Sequence, residues 1–140
     1  MPRKSYTPGD FKLKVRRSRT GLGLFAEQGI PEGACVIEYT GVMLTDEQYA
    51  RSRSKYLFTV GKQVLDGTPR SNTARYINHS CVPNCEPSVH KGRVFIHALR
   101  DIQPGEELAY NYGEEYFEAY LKGRCLCPKC SAEREATAAA

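Results

Sequence analysis

The chain contains no tryptophan and only two methionines in 140 residues. Any extended aromatic surface must therefore come from its nine tyrosines and five phenylalanines, the tyrosines carrying a phenol hydroxyl as well as a ring face. It also lacks an apolar run near the roughly 18 residues of a membrane-spanning helix, which excludes a helical span. The opening Met1-Pro-Arg-Lys-Ser-Tyr6 has no apolar core and does not read as a secretory signal, so an intracellular location, cytoplasmic or nuclear, is expected. No internal repeat is present. Strand-like segments do not alternate regularly with helical ones, which argues against a doubly wound sheet. Acidic residues are scarce at the start: Asp10 alone accompanies seven Lys and Arg in the first twenty positions. Basic residues are missing from 101 to 118, where Asp101, Glu106, Glu107, Glu114, Glu115 and Glu118 lie. The basic arm reads first as a solvated tail, with nucleic acid as a possible but not required partner.

What is present is a single domain's worth of short strands. Phe11 to Arg16 alternates apolar and basic residues, the period of a half-buried strand. A glycine turn near Thr20 leads into a second strand, and Ala34–Tyr39 reads as a third. Thr45 is placed to cap a short helix running toward Ser52. Tyr56–Val60 and Gln63–Asp66 form a hairpin around Gly61-Lys62. A brief helix is expected over 72–78, a loop from there to Glu86, strands over 93–99 and 107–110, and a small helix over 114–122.

The six cysteines are unevenly spread. Cys125, Cys127 and Cys130 sit within six residues, Cys81 and Cys85 flank a turn, and Cys35 lies alone in an apolar strand. Clustered thiols in a reducing compartment favour metal over disulfides. Three further segments stand out: the glycine pair of Gly21-Leu22-Gly23, and the polar stretches Arg75-Tyr-Ile-Asn-His-Ser-Cys-Val-Pro-Asn-Cys85 and Glu107-Leu-Ala-Tyr-Asn-Tyr112. Paired glycines let a backbone approach a ligand closely, and an Asn amide offers both donor and acceptor.

Taken in order, these segments resemble the SET-domain protein lysine methyltransferases, from about Phe11 to Cys130. The resemblance implies a mainly β fold with short helices, a β-clip-like SET domain with a knot-like C-terminal crossing, and a small zinc-bound post-SET segment. It divides the chain into a flexible basic tail (1–10), a SET domain (11–113), a post-SET zinc segment (114–131) and a disordered tail (132–140). No cysteine-rich pre-SET module is expected ahead of it.

The resemblance also implies an activity: S-adenosylmethionine-dependent N-methylation of lysine in a histone-like or other basic protein, mainly to the monomethyl and partly to the dimethyl product. Gly21, Leu22, Gly23, Arg75, Asn78, His79, Tyr112 and Leu126 are implied cofactor contacts, His79 being neutral. Tyr112 is the implied catalytic tyrosine, and Tyr39, Tyr56 and Tyr110 line a lysine channel with it. Asn111 stands where the family usually has Asp. Cys81, Cys125, Cys127 and Cys130 are the implied Zn2+ ligands, with Cys85 as the alternative to Cys81. Only two residues separate Cys127 from Cys130, against the family's usual four. A monomer without membrane attachment is expected. The acidic stretch is placed to steer a basic peptide. The rival readings are a catalytically weak SET module that binds a basic peptide or chromatin partner, and a nucleic-acid-binding zinc protein.

Overall fold

The computed structural model describes residues 4–19, 21–113, 125, 127 and 129–133. The helix expected over 114–122, and Glu114, Glu115, Glu118 and Leu126, lie outside the described residues. The described residues build four small sheets rather than one large one. β1 (Leu13–Ser18) and β2 (Gly21–Ala26) pair antiparallel, turning at Gly21, whose φ of 115° suits glycine. The basic–apolar alternation in β1 holds: Leu13 and Val15 are half-buried, while Lys14 and Arg16 are exposed. Leu24 and Ala26 of β2 are fully buried.

The second sheet runs β3 (Cys35–Tyr39), β9 (Arg93–Ala98), β8 (Cys85–His90). Its middle strand, β9, is buried from Val94 through Ala98. The loop expected to Glu86 is present as far as Asn84, and β8 then follows as a strand that the sequence does not announce. It pairs with β9 in full register across a two-residue turn, Lys91-Gly92, with both φ values positive. Pro87 obscures this strand in the sequence, and it is tolerated because β8 is the edge of its sheet.

The third sheet runs β4 (Val42–Leu44), β6 (Gln63–Asp66), β5 (Leu57–Val60). The β5–β6 hairpin turns at Gly61-Lys62 as expected. Ahead of it, α1 (Asp46–Arg51) starts on the expected cap: Gln48 N–H donates to Thr45 Oγ1 at 3.1 Å, and Thr45 N–H donates to Gln48 Oε1 at 2.9 Å. In place of a helix over 72–78 there is one 3-10 turn, Thr73–Tyr76, that opens into extended backbone at Ile77.

Extended backbone continues into the fourth sheet, β7 (Asn78–His79) alongside β10 (Ala109–Tyr110), which is parallel. The segment ahead of β10 is held by β2: Ala26 N–H donates to Glu106 C=O at 2.9 Å, and Leu108 N–H to Leu24 C=O at 2.8 Å. One core of Leu24, Ile30, Ile77, Ile96, Ile102 and Leu108 lies where these sheets meet.

Residues 4–10, expected to be a flexible tail, lie against the β8–β9 hairpin. The Tyr6 ring stacks on His90 at 3.8 Å and meets the edges of Phe95 and His97. His97 Nε2–H donates to Ser5 C=O at 2.7 Å, and Gly9 N–H donates to Cys35 C=O at 2.9 Å. A buried imidazole and an aromatic face on the sheet give this segment a place to bind that charge composition does not reveal. Among the described residues, no helix is long and apolar enough to cross a membrane.

The turn between β3 and β4 is packed backbone against backbone. A Cβ at Gly41 would stand 2.0 Å from Asp66 C=O, which cannot move aside as a side chain would. Gly41→Ala is expected to lower the unfolding free energy by about 1–3 kcal/mol. Gly29→Ala meets only Ile102 C=O, at 3.8 Å, and should leave the urea midpoint unchanged. Equal midpoints for the two variants would refute the close-packed turn.

Candidate functional site

The β7–β10 pair carries two polar motifs side by side, and Asn84 fixes their register. Its buried amide donates to Glu107 C=O and accepts from Ala109 N–H, both at 2.9 Å, so one side chain does for this segment what a neighbouring strand would do. Ser80 N–H adds a bond to Tyr110 C=O at 3.2 Å.

Asn78 projects from β7 toward the β1–β2 turn. Its Nδ2 lies 2.9 Å from Leu22 C=O, 2.8 Å from Glu107 Oε2 and 3.2 Å from Ser18 Oγ. Two amide hydrogens thus face three acceptors, a concentration suited to a cationic ligand group. A Cβ at Gly23 would stand 2.3 Å from Glu107 Oε2, so a larger residue there would displace the Glu107 carboxylate. Gly21, Leu22, Gly23 and Asn78 therefore come together. Glu107 is a member of this cluster that sequence reasoning missed. Its contact with Asn78 joins residues 29 apart in the chain, so no local spacing announced it.

These groups border a cleft of about 940 Å³, lined among others by Leu22, Tyr56, Arg75, Asn78, His79 and Tyr112. Arg19, Lys55, Arg70 and Arg100 add positive charge to its wall, which the net charge alone does not localise. Arg75 faces the aromatic side of the cleft. Its guanidinium lies 4.7 Å from the Tyr56 ring and 5.0 Å from the Tyr76 ring, and it donates to Thr68 C=O. The acidic residues described in the 101–118 stretch have local partners. Glu106 takes a two-point contact from Arg100, Asp101 accepts from Glu32 N–H, and Glu107 meets Asn78.

The tyrosines form a row. Ring centroids run Tyr39–Phe58 at 5.5 Å, Phe58–Tyr110 at 6.4 Å, Tyr110–Tyr112 at 4.9 Å and Tyr112–His79 at 5.4 Å. Tyr56 and Tyr112 open onto the cleft, whereas Tyr39 and Tyr110 are buried behind it. Tyr39 Oη donates to Tyr56 C=O at 2.9 Å, and Tyr112 Oη donates to Ile77 C=O at 2.5 Å, so each hydroxyl is oriented by a main-chain carbonyl. Phe58 joins this row without having stood out in the sequence.

The sulfurs of Cys81, Cys125, Cys127 and Cys130 all lie within 4.8 Å of one another. A tetrahedral tetrathiolate centre with metal–sulfur bonds of about 2.3 Å needs sulfurs about 3.8 Å apart. Cys81 and Cys130 are 3.6 Å apart, so the residues present fit such an ion. Cys85 does not compete: it is fully buried on β8, and burial pushes its thiol up to about 12. Burial also opposes ionisation of Cys127, but hydrogen bonds from the main chains of Cys130 and Cys81 and from the Cys125 thiol outweigh it and hold Cys127 below its ordinary value. Burial lowers the pKa of His79, favouring the neutral ring. Leu126 lies outside the described residues.

Comparison with known proteins agrees with this geometry. Residues 21–113 match the model of the SET domain family. The chain is 38% identical over 134 residues to an Aspergillus oryzae protein named histone-lysine N-methyltransferase, H3 lysine-4 specific, covering 83% of this chain and 11% of that protein. A Schizosaccharomyces pombe protein of the same name is 40% identical over 126 residues, covering 78% of this chain and 13% of that protein. The chain thus spans a small part of the length of these curated relatives.

Among solved structures, polycomb repressive complex 2 of Chaetomium thermophilum in an autoinhibited conformation, bound to S-adenosylmethionine, matches with a TM-score of 0.68 at 34% identity. That match covers 75% of this chain and 15% of the other. KRYPTONITE, in complex with mCHH DNA, an H3(1-15) peptide and SAH, matches with a TM-score of 0.64 at 34% identity, covering 74% of this chain and 24% of the other. From β2 through the turn after Tyr112, this chain belongs to the SET domain family.

Proposed function

We propose that this chain is an S-adenosylmethionine-dependent protein lysine N-methyltransferase that acts on a histone-like or other basic protein. In this reading, residues 11–113 form the SET domain and the segment from 114 holds Zn2+ through Cys125, Cys127 and Cys130 with Cys81. The observation that carries the reading is the meeting, in one cleft, of the Leu22–Asn78–Glu107 cluster with the oriented hydroxyl of Tyr112. The relatives' names, and the S-adenosylmethionine bound in a similar solved structure, support it.

When bound, the cofactor supplies a methyl group activated on a sulfonium. The residues of the chain position and desolvate. Leu22 C=O, Glu107 and Asn78 suit the charged end of an amino acid, and Gly21 and Gly23 let the backbone come close. The substrate amine must arrive uncharged, although a free lysine has a pKa of about 10.4. The aromatic row from Tyr39 to Tyr112 favours this by desolvating the ammonium. Tyr112 Oη, its hydrogen committed to Ile77 C=O, turns its lone pairs to the cleft and aligns the amine for in-line displacement. The metal would tie the short C-terminal segment to Cys81. A nuclear or cytoplasmic setting goes with such a substrate.

Tyr112→Phe is expected to lower kcat by about 10²-fold or more, the cost of losing one oriented group at the reacting centre. Cofactor affinity should stay within a few-fold, because the hydroxyl acts on transfer geometry. Turnover equal to that of the parent would remove Tyr112 from this role, and peptide binding without any transfer would leave the weak-module reading.

Tyr110 borders both Tyr112 and Phe58, and in this reading its phenol limits the room for a second or third methyl group. The parent protein is expected to give mainly monomethyllysine with some dimethyllysine, and Tyr110→Phe to shift products upward. Mass spectrometry at multiple turnovers checks this; abundant trimethyllysine from the parent would refute it.

One zinc per chain is expected in reduced protein by elemental analysis. Chelation should lower activity before the β-sheets lose their circular dichroism. A metal-free protein with full activity would contradict the assignment.

A further inference from the structure

His79 meets a different group at each of its two ring nitrogens. On one side its Nδ1 accepts the Tyr112 main-chain N–H at 3.0 Å. On the other, its Nε2 lies 3.3 Å from Cys81 Sγ. An N–H can only donate, so Nδ1 must be bare, and the single hydrogen of the neutral ring sits on Nε2, directed at the sulfur. The other neutral tautomer would set two N–H groups against each other at Tyr112. Only one proton placement satisfies both bonds.

Cys81 is also the sulfur 3.6 Å from Cys130 in the thiol cluster. A thiolate held on a metal ion is a strong acceptor, and a ring N–H aimed at it is a charge-assisted bond. Such outer bonds to metal ligands fix ligand orientation and tune affinity. Here the outer group is itself bonded to the main chain of the tyrosine whose hydroxyl is pinned to Ile77. Tyr112 is thus held at both ends, and one of those ends leads through a single imidazole to the sulfur cluster.

We propose that His79 is a positioning residue that couples the metal centre to Tyr112: a metal-bound Cys81 thiolate fixes the ring's tautomer and angle, and the ring fixes the Tyr112 backbone. The inference rests on the metal assignment made above. With the ion removed, Cys81 is free to turn, the Nε2 proton loses its anchor, and Tyr112 N–H loses its acceptor.

Two substitutions separate the bonds. His79→Asn keeps an acceptor near the place of Nδ1 but cannot reach the sulfur. His79→Gln extends an amide N–H toward Cys81 but offers nothing at Nδ1. The full chain and both variants would be loaded with cobalt(II) to read the thiolate-to-metal absorption. Zinc affinity would be measured by competition with a chelating dye, and exchange of the Tyr112 amide followed by NMR with and without zinc.

In the parent, zinc removal is expected to speed exchange of the Tyr112 amide at least tenfold. His79→Asn should shift the cobalt band and weaken zinc binding by about 10–100-fold, while its Tyr112 amide no longer responds to zinc. His79→Gln should keep zinc affinity within a few-fold, expose the Tyr112 amide, and lower kcat with little change in KM.

A parent amide indifferent to zinc would overturn the coupling, and so would an unaltered cobalt spectrum and zinc affinity in His79→Asn. A parent chain that binds no zinc or cobalt would instead overturn the metal assignment, and this inference with it.

Discussion

The parallel pairing of Asn78–His79 with Ala109–Tyr110 is the contact on which the site depends. Two residues on each side make a ladder too short to hold itself. It persists because its neighbours specify it: Asn84 bonds both sides of Leu108, Ser80 reaches Tyr110, and β2 secures residues 106 to 108. Side chains alternate along an extended strand, so a slip of one residue would exchange inside for outside. Tyr110 would leave the core and Leu108 would point toward the cleft. Such a slip would also part Glu107 from Asn78 and Tyr112 N–H from His79. The register of this small pair therefore sets the spacing between the acceptor cluster and the aromatic row.

Charge is distributed to suit that spacing. The carboxylates near the cleft have specific partners, Arg100 for Glu106 and Asn78 for Glu107, and the wall keeps several guanidinium and ammonium groups. Arg75 lies over the rings of Tyr56 and Tyr76, which places a cation against the face of the aromatic wall. The cation adds an electrostatic contact to two rings that also pack against the hydrophobic core.

Local features of the fold were legible in the sequence where local physics decides them. Thr45 and Gln48 announced a helix start, Gly61-Lys62 a hairpin, and the alternation from Phe11 a half-exposed strand, and all three are present. Three of the four thiols of the sulfur cluster were legible because Cys125, Cys127 and Cys130 lie within six residues, whereas Cys81 joins them from far along the chain. What escaped was settled by distant partners. β8 is a strand in spite of Pro87 because β9 lies on one side of it only. Tyr6 binds because His90 and His97 are presented by a hairpin some eighty residues away. Glu107 belongs to the polar cluster through Asn78, and no spacing along the chain encodes that contact. The division of the tyrosines, with Tyr56 and Tyr112 on the cleft and Tyr39 and Tyr110 behind, likewise follows from packing.

The β7–β10 pair also has a kinetic meaning. The β1–β2, β5–β6 and β8–β9 hairpins join near neighbours, and such contacts form on the microsecond scale. The parallel pair must wait until the whole of β8 and β9 has folded back, because both lie in the chain between its two halves. Contacts closing long loops come late in folding and slow it. The cleft needs both halves of this pair, so the arrangement that unites Asn78 with Tyr112 cannot form until that loop has closed.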